Sequence, residues 1–157
     1  MMKHFYTTLL LLLAISALYA NPIDSTTAKR VALNAYRSKS LNVNSVRIAA
    51  PKVAYTVKTS LAGRSDSTDC FYIYNVGNGY VIVGADDRIE PILGYSTEGQ
   101  FNPNSIPVNM LNYLLGYRDE FKSIIEQGLP TTPELISKWR EISAVNYNTT
   151  AYRTTVI

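Results

Sequence analysis

Apolar residues recur every three or four positions from Ala28 to Tyr36, alternate with polar ones from Lys52 onward, and return to the three-and-four spacing after Pro107. These changes of period predict helix, then strands, then helix, because side chains line one face every 3.6 residues in a helix and every second residue in a strand. The first helix is expected in "DSTTAKRVALNAYRSK", with Asp24 or Ser25 as N-cap. Ala28, Val31, Ala32, Ala35 and Tyr36 share its apolar face, and it ends near Ser38 to Ser40.

From Lys52 to Thr59, Val53, Tyr55 and Val57 alternate with polar or small residues, which predicts a half-buried strand. The polar stretch "SLAGRSDSTD" reads as a loop. Next come two runs of β-branched and aromatic residues, "CFYIYNV" and "YVIV", separated by Gly77, Asn78 and Gly79. The Asn-Gly pair predicts a tight hairpin with a type I′ turn, whose two central residues both need positive φ. After "GADDRIEP" turns the chain again, "ILGYS" forms a further short strand.

Beyond Pro107, Met110, Leu111, Leu114, Tyr117, Phe121, Ile124 and Ile125 keep helical spacing until Gly128 and Pro130 stop the run. A last helix opens with Thr132 as N-cap, Pro133 at the first position and Glu134 in the first turn. It is expected to bury Leu135, Ile136, Trp139 and Ile142. The whole predicts an α+β fold: an antiparallel β-sheet of about four strands with amphipathic helices packed mainly on one face.

The first twenty residues, "MMKHFYTTLLLLLAISALYA", change the picture of where this domain begins. Lys3, the apolar run from Leu9 and the small residues before Asn21 have the form of a secretory signal peptide, cleaved after Ala20. The apolar stretch is short for a bilayer span of roughly 20 residues. The expected organisation is a leader at 1–20, one domain at 21–146, and a C-terminal tail at 147–157 that is a linker, an extended arm or a frayed end. The product is then secreted or periplasmic, with no membrane contact after cleavage.

Without Lys3, the 15 Lys and Arg of the chain become 14, against 12 Asp and Glu. That balance, with the basic residues scattered, argues against a nucleic-acid partner. The one cysteine, Cys70, allows no internal disulfide, so stability rests on a packed core.

The histidine count narrows the chemistry further. His4 is the only one and lies in the expected leader, so the mature chain has no Ser-His-Asp or Cys-His site and no zinc site of the usual Cys and His kinds. Cys70, at a strand start, reads as a small half-buried residue. Asp86, Asp87 and Glu90 cluster after "YVIVGA" and could in principle supply an acid and a base. No second acidic cluster opposes them, and a turn capped by its own carboxylates and balanced by Arg88 fits better. The glycines match no phosphate or dinucleotide loop, and nothing calls for a cofactor or metal. The residues taken alone suggest a non-enzymatic domain and leave its ligand open.

A resemblance goes further. "GYVIVGADDR" (Gly79 to Arg88), "PILGYS" (Pro91 to Ser96) and "GQF" (Gly99 to Phe101), preceded by Tyr74 and Asn75 and followed by an amphipathic helix, resemble the prosegments of streptopain-like cysteine peptidases and the related stand-alone streptopain inhibitors. The resemblance implies inhibition of a papain-like, streptopain-type peptidase, in cis as a prosegment or in trans as an inhibitor. In that family an asparagine near the start of the helix pushes the catalytic histidine away from its cysteine. Counting from the helix tyrosine places it at Asn109 in "IPVNMLNYLLGY", with Asn112 a neighbouring candidate. The expected peptidase-contacting set is Asn102, Asn104, Pro107, Val108, Asn109 and Asn112, with no catalytic residue among them. The chain is then a free inhibitor or the prosegment of a longer protein; the alternative is a secreted binding module that keeps the fold without inhibiting.

Overall fold

A computed structural model describes residues 22–40 and 48–145; the expected leader and tail lie outside them. The described elements are α1 (Ser25–Lys39), β1 (Lys52–Ser60), β2 (Ser67–Val76), β3 (Gly79–Gly84), β4 (Ile92–Ser96), α2 (Val108–Glu126) and α3 (Pro133–Ile142). The strands form one antiparallel meander in the order β1-β2-β3-β4, so the fold is α+β.

The helix starts follow the local sequence. At α1 the Asp24 carboxylate accepts from the amides of Thr26 (2.8 Å) and Thr27 (3.0 Å) and from the Thr27 hydroxyl (2.7 Å). These bonds satisfy orphan N–H groups of the first turn. Chiefly the Thr27 hydroxyl, then the Thr27 amide, hold the Asp24 carboxyl below its ordinary 3.8. A carboxyl with a depressed folded pKa stabilises fully above its unfolded value and loses that contribution as pH falls through the lower folded value. Wild type is therefore expected to be more stable than Asp24→Asn above about pH 4, and the gap between their urea midpoints to close below it. A gap independent of pH would contradict this reading. At α3, Thr132 caps the Leu135 amide (3.2 Å) with Pro133 behind it, as expected.

Both faces of the sheet are covered. Tyr74, Val76, Val81 and Val83 point to one face, where they meet Val31, Ala32 and Tyr36 of α1 and Trp139 and Ile142 of α3. Phe71, Ile73, Ile82, Leu93 and Phe101 point to the other, where Leu114 and Phe121 of α2 close over them. The alternation of β2 and β3 makes this possible, since a strand with apolar residues on both sides must be sandwiched. Two helices share one face, but the longest covers the opposite one. Burying side chains such as Phe71 and Phe121 contributes about 2–3 kcal/mol each.

Several local expectations are corrected. The β2–β3 pairing ends at Val76 opposite Gly79, so the loop residues are Gly77 and Asn78, not Asn78 and Gly79. Gly77 has φ 56 and no non-glycine residue has positive φ among those described, which is the type II′ pattern with glycine first. The Tyr36 hydroxyl fixes this choice by accepting from the Asn78 amide (3.1 Å). β2 starts at Ser67, so the loop before it is shorter than "SLAGRSDSTD" implies, and Cys70 is fully buried inside the strand, not half-buried at its start. In β1 the register slips between Val53 and Tyr55, and only Val57 of the alternating trio is buried. In α3, Ile136 is exposed.

Candidate functional site

The loop leaving β4 is fastened before α2 begins. Asn75, mid-sheet in β2, accepts from the Phe101 amide through Oδ1 (2.8 Å) and donates from Nδ2 to the Phe101 carbonyl (3.0 Å). The side chain thus pairs with that backbone as a neighbouring strand would. Phe101 then packs its ring against Tyr80 and Tyr55, with centroids 6.0 and 6.1 Å away. Asn102 continues the turn: its Oδ1 accepts from the Asn104 amide (3.0 Å) and its carbonyl from Ser105 (3.1 Å).

The far side is α2. Pro107 occupies its N-cap and supplies no side-chain bond. Two turns of α2 hold Tyr113 and Tyr117, whose rings meet edge to face at 4.6 Å and whose hydroxyls lie 3.1 Å apart. The Tyr113 hydroxyl donates to the Leu93 carbonyl of β4 and ties the helix to the sheet edge. Burial first, then the Tyr117 hydroxyl, pushes Tyr113 up to about 12, so it remains a protonated donor at neutral pH.

Between these walls lies an open cleft of about 640 Å³, lined among others by Tyr80, Tyr95, Phe101, Met110 and Tyr113. Gly94 lies at its floor, where a methyl group would come 3.4 Å from Ile82 Cδ1. Of the residues expected at the contact surface, Asn102, Pro107 and Asn109 line the cleft. Asn104, Val108 and Asn112 do not: all three are exposed outside it. Asn109 is exposed in the first turn of α2, and its Oδ1 accepts from the Met110 amide (2.9 Å). Sequence reasoning did not assign Tyr95, Met110, Tyr113 or Asn75 to this site. The four-residue spacing of Tyr113 from Asn109 was a usable signal; the reach of Asn75 across the sheet was not.

The remaining candidates for chemistry are occupied structurally. Asp86 is only 5% exposed and grips Arg88 with both oxygens, at 2.8 Å to Nε and 2.9 Å to Nη2. It also accepts from the Arg88 amide (3.0 Å), which is the self-capped turn. Glu90 pairs with Lys138 at 2.7 Å. Burial pushes the Cys70 thiol up to about 12, which keeps it out of the nucleophilic thiolate form.

The cleft is bordered by Tyr80, Tyr95 and Tyr113, with the amide groups of Asn102 and Asn109 at its rim. The chain belongs to the Spi protease inhibitor family, whose match covers residues 20–121. The family is described as one of protease inhibitors. The chain is 30% identical over 128 residues to the thiol protease/hemagglutinin PrtT of Porphyromonas gingivalis, covering 80% of this chain and 14% of that protein. It is 36% identical over 66 residues to streptopain of Streptococcus pyogenes, covering 41% of this chain and 16% of streptopain. The match therefore spans 14% of the length of the first relative and 16% of the second. No solved structure matches it significantly.

Proposed function

We propose that this chain is exported and acts as the inhibitor or prosegment of a papain-like, streptopain-type cysteine peptidase, covering the active-site cleft and displacing the catalytic histidine. The observation that carries the reading is the position of Asn109: exposed at the cleft rim, in the first turn of a helix that Tyr113 ties to the sheet. The Asn109 Oδ1 accepts from the Met110 amide, which leaves the carboxamide nitrogen as the group to donate to a partner. A neutral amide can hydrogen-bond an imidazole while offering the peptidase no chain to cleave. Because the helix start and the Asn75 bracket are already ordered, little conformational entropy is lost on docking.

The test is a titration of the chain from Asn21 to Ile157 against an active streptopain-type peptidase, following hydrolysis of a peptide substrate. Saturable loss of activity is expected. Asn109→Ala should weaken inhibition by about tenfold or more, equivalent to about 1.4 kcal/mol, without moving the urea midpoint. Unchanged inhibition in that variant would reject the role of Asn109. A folded wild type with no inhibition would reject the blocking function and favour a binding module on the same fold.

A further inference from the structure

We propose that the outward face of α2, made by Val108, Leu111 and Leu115, is a second docking surface for the same peptidase, and that it takes an apolar, uncharged patch beside the active-site cleft. This rests on the inhibitor reading above and names the chemistry of the partner surface.

α2 has two apolar stripes where a surface helix usually has one. The inner stripe, through Leu114 and Phe121, closes over the sheet. Among the described residues the outer one is uncovered: Val108 is 74% exposed, Leu111 41% and Leu115 36%. They stand at positions i, i+3 and i+7, so they form one continuous ridge. Gly116, beside Leu115, has open space around it, which lets a partner approach the backbone closely.

Charge supports the same assignment. From Gly99 to Tyr117 the sequence contains no charged residue, in a chain where 17% of residues are charged. None of the described residues lining the cleft is charged either. Charges resume at Arg118 and Asp119, which neutralise each other at 2.8 Å. Depletion of charge marks the core of a protein interface, not solvated helix surface.

Helical geometry then joins this ridge to the cleft. At 3.6 residues per turn, Asn112 borders the ridge and Asn109 lies between the ridge and Tyr113 at the cleft. A body that reaches Asn109 must pass over one or both surfaces. Because the Tyr113 hydroxyl already occupies the Leu93 carbonyl of edge strand β4, side-chain contact is favoured over strand addition at that position.

The test measures binding of the full mature chain to a streptopain-type peptidase from the same organism, its catalytic cysteine alkylated, beside inhibition of the active enzyme. Leu111→Glu and Leu115→Glu should each weaken binding by about tenfold or more with unchanged urea midpoints. Leu129→Glu, at an exposed apolar site beyond the C-terminal end of α2, should leave binding unchanged. Wild-type affinity should change by less than about threefold between low and high salt, as expected without electrostatic steering. If Asn109→Ala weakens inhibition but the two leucine variants bind as wild type, the ridge proposal fails and the inhibitor reading stands. If the chain binds through the ridge without inhibiting, the reverse holds. If sedimentation shows that the chain self-associates and Leu111→Glu abolishes only that, the occupant is a second copy and the proposal is overturned.

Discussion

Gly79→Ala is expected to cost about 3 kcal/mol or more and to show as a large fall in urea midpoint. A methyl group on Gly79 would stand 1.9 Å from the Ser96 carbonyl oxygen, 2.7 Å from its carbon and 2.9 Å from the Thr97 carbonyl carbon. These are backbone atoms, so no side-chain rotation relieves the clash. β3 and β4 are paired at this point through Tyr80 and Ser96, and the Tyr36 hydroxyl reaches the Thr97 carbonyl (3.4 Å) from α1. The strand end would have to swing away and give up both. Overpacking in a fixed core costs about 1–3 kcal/mol, and more where backbone must move. Gly99→Ala is the comparison: its φ of 73 strains a side chain, but nothing lies within 4 Å, so a loss of about 1 kcal/mol is expected. A Gly79→Ala midpoint within error of wild type would show that β4 has room to shift.

Asp86→Ala should be comparably damaging, at about 3 kcal/mol, because it leaves a half-buried guanidinium without the carboxylate that grips it. Side-chain exposure is 7% at Asp86 and 16% at Arg88, so water replaces the lost bonds poorly. The consequence extends beyond the pair because the same turn accepts three hydrogen bonds from the segments around α1 and α3. The Ile23 amide bonds the Ala85 carbonyl (2.9 Å), the Thr131 hydroxyl the Asp87 carbonyl (2.8 Å), and the Trp139 indole the Ile89 carbonyl (2.9 Å). Loosening the turn therefore loosens the entry to α1 and the seat of α3 together. Replacing both partners, as in Asp86→Ala with Arg88→Met, should recover much of the loss, since no unpaired charge is left behind. Urea midpoints of the single and double variants decide this; additive losses would show that the pair does not act as a unit.

Helix positions and the strand sequence were legible wherever the signal is local. Asp24 and Thr132 cap through amides two or three residues away, and the spacing of Leu114, Tyr117 and Phe121 marks the buried side of α2. The hairpin was located correctly but its turn was displaced by one residue, because the hydroxyl of Tyr36 binds the Asn78 amide from a different element. β1 was misjudged for a related reason: its register slips against β2, so its alternation does not map onto one face.

The candidate site divides along the same line. That Asn109 opens a helix follows from the sequence of periods and from Pro107 before it. That it shares a cleft with Tyr80, Tyr95 and Phe101 depends on contacts spanning tens of residues: Asn75 to Phe101 and Tyr113 to Leu93. The sequence by itself determined the elements, the caps and the lack of catalytic histidine in the expected mature chain, because each depends on residue type and near neighbours. Only the tertiary structure decided that helices cover both faces of the sheet, that the turn of Asp86 and Arg88 anchors Ile23 and Trp139, and that α2 turns an uncharged ridge outward. Which apolar stripe of a helix is buried depends on the partner that reaches it, and no local pattern carries that information.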